Sequence, residues 1–205
     1  MKKPLLWYFT DIPEEICNSF EKDMDSYDDQ FKNSTVSNNC LIPKIRKSKN
    51  VWIPTTHWIY GFIWTYILKA NQENFRYDIT SIDGQSMQYT LYGDGDFYQW
   101  HTDDDSNHYS SFSKPISMSE GQLIEDYLTL QTEYSRKISF SLLISDIDDY
   151  EGGNFQILDG NKSYFTPRKR GTLIIFDSRM SHRVLKVTKG QRKSLVGWCI
   201  GPRWK

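Results

Sequence analysis

Apolar positions fall into two regimes along the chain, first at helical spacing and then in alternation. Ile12, Ile16, Phe20 and Met24 recur every fourth residue, one stripe on an amphipathic helix. Asp11-Ile-Pro-Glu14 reads as its start: Asp11 can cap, Pro13 suits the first turn and Glu14 completes a box-like pattern. A polar stretch with loops runs on to Asn50. A second helix is predicted from Thr55 or Thr56 to about Asn71. Trp58, Ile59, Phe62, Ile63, Tyr66, Ile67 and Ala70 make it apolar over a wide face, so it should pack against a sheet.

From about residue 87 the pattern changes to strands and turns. Strands are predicted at 87–92, 97–103, 137–145, 154–158, 163–166, 172–176, 183–187 and 192–200. Between them stand Gly93-Asp94-Gly95-Asp96, Glu151-Gly152-Gly153, Asp159-Gly160-Asn161, Arg170-Gly171 and Lys189-Gly190, where glycine supplies turn geometry. Gly-Asp-Gly is no phosphate loop, because no helix start follows it. Many short strands with tight turns suggest a barrel or jelly roll. The expected class is mainly β with N-terminal helices. One domain spans 1–205, with a helical support region at 1–80 and the β core at 85–200. One connection, residues 104–135, is long, with a short helix predicted at 120–132. Long loops in compact domains are often lids or binding loops.

Composition narrows the class. A length of 205 residues suits one domain with a real core. The net charge of −1 gives no broad basic field for nucleic acid. Aromatic residues reach 15%, which suggests a β-rich core and a lined pocket. Cys17, Cys40 and Cys199 are widely spaced with no CxxC, so neither a disulfide framework nor a zinc site is implied. A reducing, intracellular setting is the simplest reading. The apolar run after the N-terminal lysines, only about five residues, is too short for a signal peptide. The stretch 58–68 is too short to span a bilayer. The expectation is a soluble, cytoplasmic protein.

His101-Thr-Asp103 supplies the first chemistry. On a strand, residues i and i+2 point to one face about 7 Å apart, so both can converge on one ion. Two His and one carboxylate form the facial triad of non-haem Fe(II) oxygenases and leave positions open for a bidentate co-substrate and O₂. His182 is the natural third ligand, because it follows a strand and short loop and opens another strand. His57 falls on the predicted helix and His108 in the long loop. Ten residues after His182 comes Arg192, then Ser194, alternating onto one strand face. A guanidinium pairs a carboxylate bidentately and a hydroxyl adds a bond, which suits the far end of a dicarboxylic acid.

Three runs carry a resemblance. They are Tyr92-Gly-Asp-Gly-Asp-Phe97-Tyr98-Gln-Trp-His101-Thr-Asp103, then Arg136-Lys-Ile-Ser-Phe-Ser-Leu-Leu-Ile-Ser145 with Asp149-Tyr150-Glu151-Gly152-Gly153, and His182-Arg-Val-Leu-Lys-Val-Thr-Lys-Gly-Gln-Arg192-Lys-Ser194-Leu-Val-Gly-Trp198. Their order and spacing resemble the prolyl-hydroxylase-like 2-oxoglutarate/Fe(II) dioxygenases, PKHD-type branch. The resemblance covers about residues 85–200, with a weaker match at Arg46-Lys-Ser48-Lys-Asn-Val51-Trp52. It implies a double-stranded β-helix (jelly roll) with helices packed on one sheet. It implies Fe(II) at His101, Asp103 and His182, and 2-oxoglutarate held by Arg192, with Tyr92, Tyr98 and Ser194 around it. It further implies O₂ as oxidant, ascorbate as reductant, release of succinate and CO₂, and a protein or peptide substrate. A small molecule, lipid or nucleobase is the alternative substrate. Many relatives have a proline where Lys186 stands, which should alter the strand and not the ligands.

Each motif also has a plain structural reading. His-x-Asp alone is usually surface chemistry, Arg192 alone could be a surface ion pair, and strand tyrosines are often core residues. Trp100 and Trp198 read as pocket walls or core. The cluster Lys44-Ile-Arg46-Lys47-Ser-Lys49 reads as a solvated face. A non-catalytic jelly-roll binding protein with a vestigial metal site is the rival class. The combination of triad, arginine and spacing favours the enzyme.

Overall fold

The computed structural model describes residues 7–36, 41–83, 87–104 and 134–204. In chain order the strands are β1 (Trp7–Asp11), β2 (Lys32–Asn33), β3 (Arg46–Lys47), β4 (Lys49–Trp52), β5 (Ser81–Ile82), β6 (Gln88–Tyr92), β7 (Phe97–His101), β8 (Tyr134–Leu143), β9 (Tyr150–Gly152), β10 (Phe155–Asp159), β11 (Lys162–Phe165), β12 (Thr172–Asp177), β13 (His182–Val184), β14 (Val187–Gly190) and β15 (Arg192–Pro202). The α-helices are α1 (Glu14–Met24) and α2 (Ile59–Ala70). One antiparallel sheet runs β1-β12-β8-β15-β6-β4-β2, with β5 beside β15. A second runs β11-β10-β13-β7-β3, and β14 pairs with β9. This is the jelly roll expected from the sequence.

Alternation on the central strands builds two cores. Ile138, Phe140, Leu142, Leu173, Ile175, Leu195 and Cys199 share one cluster with Cys17, Phe20 and Met24 of α1 and Ile59, Ile63, Ile67 and Ala70 of α2. Leu143, Ile174 and Phe176, on the opposite pleat, pack with Phe155, Ile157 and Val184 of the second sheet. Period-2 side chains thus bury both faces of the large sheet, one under helices and one between sheets. The inner face also carries Ser139, Ser141, Thr172, Arg192 and Ser194, all buried. A core lined with that many polar groups needs partners for them.

Several expectations change. Asp11 does not cap α1: it ends β1, opposite Thr172, and its carboxylate meets Lys169 Nζ at 2.8 Å. Pro13 takes the cap position itself, without a side-chain hydrogen bond. The helix α2 begins at Ile59, leaving His57 outside it. His57 Nε2 instead lies 3.4 Å from Asp23, and Trp58 Nε1 donates to the same carboxylate at 2.6 Å, which ties the two helices together. Only one narrow stripe of α2 is fully buried. Trp58 and Leu68 stay 42% and 45% exposed, and the Phe62 and Tyr66 rings meet tilted at 45°, 5.2 Å apart. The support region at 1–80 also holds β1 to β4, most of them too short to show a period. The strand predicted at 183–187 breaks at Leu185-Lys186, so β13 joins the second sheet and β14 joins β9. Lys186 stands at that break, and its carbonyl accepts the Gly153 N–H at 3.0 Å. The segment 105–133, with His108 and the helix predicted at 120–132, lies outside the described residues, as does Cys40.

Candidate metal centre

The strands β7 and β13 pair side by side, with His101 opposite His182. The register slips between His182 and Val184, because Tyr98 rather than Gln99 faces Val184. A slip of this kind re-aims side chains. Here it puts Tyr98 and His101 on one face, where their rings stack at 3.5 Å. Asp103 does not extend the strand as the sequence suggested. It lies just past the end of β7, where its N–H donates to the Ser178 carbonyl at 2.9 Å. The turn after β12, not strand alternation, therefore brings the carboxylate back to the histidines.

One ligand atom from each of His101, Asp103 and His182 lies within 4.8 Å of the others. His182 Nε2 is 3.4 Å from Asp103 Oδ2, and His101 Nε2 is 3.8 Å from Oδ1. Each ring spends its other nitrogen on a backbone carbonyl: His101 Nδ1 on Gln99 at 2.8 Å, and His182 Nδ1 on Met180 at 3.0 Å. A carbonyl only accepts, so Nδ1 carries the proton and Nε2 turns its lone pair inward. Phe155 and Phe176 flank the His182 ring at 5.5 and 4.7 Å. Two imidazoles and a carboxylate are the donor set that suits Fe(II).

The charges fit a cation. Burial, then the neighbouring His182, pushes the His101 pKa down to about 3, so the ring stays neutral. Burial alone would push the Asp103 carboxyl up. The two histidines, Arg136 and a hydrogen bond with the Ser139 hydroxyl outweigh it and hold the group below the usual carboxylate range. Ser139 Oγ in turn lies 2.9 Å from Ser178 Oγ. Asp177, just before Ser178, binds Tyr77 Oη at 2.5 Å and Arg179 Nη2 at 2.6 Å. The turn that positions Asp103 is thus held from both sides.

Arg192, 3% exposed, lies opposite Tyr92 across β15 and β6. Its Nη1 donates to Ser194 Oγ at 2.9 Å, and its guanidinium carbon lies 5.6 Å from the centre of the Tyr92 ring. Among the described residues no carboxylate pairs with it. Thr90, opposite Ser194, has a buried hydroxyl without a hydrogen-bond partner among the described residues. A buried cation and an orphaned hydroxyl on one face are donors awaiting an acceptor. Tyr98 stands apart from this group, between His101 and Arg46, whose guanidinium lies 4.8 Å over its ring.

The sequence reading gives no site role to two further arginines. Arg46, read as part of a solvated run, is buried at 8% exposure. It donates to Ser48 Oγ, the Thr35 carbonyl and Gln88 Oε1. Its spacing to Ser48 repeats the Arg-x-Ser of Arg192 and Ser194, a signal the surrounding lysines hid. Arg136 lies 4.0 Å over the Trp198 ring and 3.6 Å from Asp83, close enough to Asp103 to lower its pKa. Its Nε is buried and without a hydrogen-bond partner among the described residues. Trp198 thus carries the Arg136 guanidinium on its ring face. Trp100 instead lies partly exposed under Arg183, 4.4 Å from its guanidinium.

Comparison with known proteins agrees with this geometry. A family model for the 2OG-Fe(II) oxygenase superfamily matches residues 87–200. A PKHD-type hydroxylase of Synechococcus sp. (strain CC9902) is 35% identical over 106 residues, 51% of this chain and 36% of the relative. Another, from Idiomarina loihiensis, is 38% identical over 61 residues, 30% of this chain and 28% of its own length. The matches thus span about a third of these relatives. Among solved structures, a prolyl-4-hydroxylase of Pseudomonas putida superposes with a TM-score of 0.69 at 18% identity, covering 97% of this chain and 93% of that one. A prolyl hydroxylase of Trichoplax adhaerens, in complex with a hypoxia inducible factor oxygen degradation domain peptide fragment, gives 0.71 at 15% identity, covering 96% and 84%. Those likenesses carry the fold, and the family match over more than half of the sequence carries the rest: the chain belongs to the 2OG-Fe(II) oxygenase superfamily.

Proposed function

We propose that this chain, acting as one domain, is an Fe(II)- and 2-oxoglutarate-dependent dioxygenase that hydroxylates an unactivated C–H, with a protein or peptide residue such as proline as its substrate. The observation that carries the proposal is the convergence of His101, Asp103 and His182 in one group, in a fold that also buries an arginine, Arg192, with no carboxylate partner among the described residues. Iron bound there, with O₂ and 2-oxoglutarate, supplies the oxidising power, and the co-substrate leaves as succinate and CO₂.

The protein's own groups do the positioning. The backbone bonds at Gln99 and Met180 fix both imidazoles with Nε2 inward, and Ser139 steadies the carboxylate ligand. Arg192, with Ser194 and Tyr92 beside it, binds the distal carboxylate of 2-oxoglutarate. Tyr98 braces His101 by stacking and is a weaker candidate for co-substrate contact. The apolar walls at Leu143, Phe155, Ile174 and Phe176 exclude water from the space between the sheets. Arg136 carries an unsatisfied donor beside the metal ligands, which suits a carbonyl or carboxylate of the substrate. A carboxylate at Asp103 occupies the position that a halogenating relative leaves vacant, which favours hydroxylation. The prolyl hydroxylase neighbours support the peptide class. The buried free thiols Cys17 and Cys199 suit a reducing cytoplasm, where ascorbate would serve as reductant. No helix among the described residues is long and apolar enough to cross a membrane.

The test is succinate formation from 2-oxoglutarate with Fe(II) and ascorbate, alongside His182→Ala. Proline-containing peptides are screened in parallel for a gain of about 16 Da, one oxygen atom. Succinate from the wild type and none from His182→Ala supports the proposal. No turnover under any of these conditions rejects the enzyme, and turnover that modifies no peptide rejects the substrate class.

A further inference from the structure

The space in front of Arg192 holds more donors than one arginine. A small pocket lies there, lined among others by Ser141, Leu143, Phe155, Arg168, Thr172 and Arg192. Among the described residues, two that line it carry guanidinium groups and none is acidic. The two arginines reach it from different places. Arg192 opens β15, whereas Arg168 lies in the connection between β11 and β12.

Arg168 is held in place from one side. Its Nη2 donates to the Tyr150 carbonyl at 3.1 Å, and its guanidinium carbon lies 4.6 Å over the Tyr150 ring. Tyr150 itself lines the cavity. Its Nε–H is buried and, among the described residues, has no hydrogen-bond partner. The Thr172 hydroxyl is in the same condition. Two orphaned donors and two cations around one small space, with no acidic residue, describe an anion site. Gly153 is part of its construction. A Cβ there would lie 3.1 Å from Tyr150 Cε2 and 3.2 Å from Arg192 Cδ, the side chains that carry or support both guanidinium groups.

We propose that Arg168 is a second guanidinium of the co-substrate pocket. With Thr172 it donates to the same distal carboxylate that Arg192 pairs, and so it selects dicarboxylic over monocarboxylic 2-oxo acids. This rests on the 2-oxoglutarate reading above. A carboxylate has two oxygens with about four lone-pair positions, so it can accept from Arg192, Arg168 and Thr172 together. Because Tyr150 already fixes the Arg168 guanidinium, little order is lost on binding.

The test is calorimetric titration of Mn(II)-loaded protein with 2-oxoglutarate and with 2-oxopentanoate, which has the same carbon chain without the distal carboxylate. Arg168→Gln is expected to weaken 2-oxoglutarate by about tenfold or more, the loss of one charged hydrogen bond. It leaves 2-oxopentanoate within twofold, and Arg168→Lys recovers part of the loss. The unchanged 2-oxopentanoate affinity shows that the variant is folded. Binding of 2-oxoglutarate by Arg168→Gln within twofold of wild type overturns the inference while leaving the co-substrate reading intact. So does an equal loss for both acids. If Arg192→Gln also leaves 2-oxoglutarate unaffected, or wild type does not bind it, the co-substrate reading fails and the inference with it.

Discussion

Removing the Ser139 hydroxyl should loosen the metal without unfolding the protein. Ser139 is 1% exposed and sits between Ser178 Oγ and the Asp103 carboxylate. The change Ser139→Ala deletes one hydroxyl from a buried strand position and introduces no new bulk. A hydrogen bond to a charged group contributes about 1.5–3 kcal/mol. Loss of a partner that orients a metal ligand typically costs about 10- to 100-fold in affinity, which is about 1.4–2.7 kcal/mol. The two routes agree, so the expected loss for Co(II) or Mn(II) is about 10- to 100-fold. Co(II) titration followed by its visible d–d absorption gives the affinity, and urea unfolding of the metal-free protein gives the stability. Ser139→Thr, which restores the hydroxyl, should recover much of the affinity. Metal affinity within twofold of wild type for Ser139→Ala would refute the role given to this hydroxyl. So would a loss that Ser139→Thr fails to relieve.

Other outcomes follow from the same structure. Arg192→Gln should weaken 2-oxoglutarate by roughly 10²- to 10⁴-fold, because removing one partner of a buried ion pair costs about 3–5 kcal/mol; calorimetry on Mn(II)-loaded protein reads it. The metal-free protein should lose stability as pH falls below 6.5. Burial, then His182, holds the folded His101 pKa near about 3, so the unfolded chain takes up a proton that the folded chain refuses. The contribution is complete above the unfolded pKa and declines below it by up to about 1.4 kcal/mol per pH unit. His57, also pushed down by burial, adds the same sign. Urea midpoints at pH 7.5 and 5.5 measure the slope, and His101→Asn should flatten it. Ile63→Ala, at 0% exposure under the large sheet, should cost about 2–5 kcal/mol of stability while leaving metal affinity unchanged. Equal damage to both would mean that the helical layer and the metal centre are coupled.

The chemistry was more legible in the sequence than the supports that hold it. His101, Asp103 and His182, which the fold brings together, stand out by residue type and spacing, as do Arg192 and Ser194, the residues proposed to hold a carboxylate. The strands of the β core also announced themselves, because period 2 and glycine turns are local signals. The reason Asp103 reaches the histidines was not legible. It depends on the Ser178 carbonyl, a backbone atom some 75 residues away with no side-chain signature. The two-residue strands β2, β3 and β5 were too short to show a period. Arg46 was hidden because charge in a lysine-rich run reads as surface, yet its neighbour Ser48 is 5% exposed. Arg136 and Asp83 lie on opposite sides of β15, a pairing only the sheet order reveals. Local patterns thus encode elements and ligand types. Burial of polar side chains is decided by strand neighbours that the sequence places far apart.

The most direct test of the central claim is an anaerobic titration of Fe(II)-loaded protein with 2-oxoglutarate, followed by the visible charge-transfer absorption of an iron(II) 2-oxo acid chelate. A band that saturates at one equivalent in wild type, is lost in His182→Ala and needs far more 2-oxoglutarate in Arg192→Gln is the predicted result. Absence of the band from a folded wild-type protein, or its persistence unchanged in His182→Ala, would contradict the claim that His101, Asp103 and His182 hold the iron.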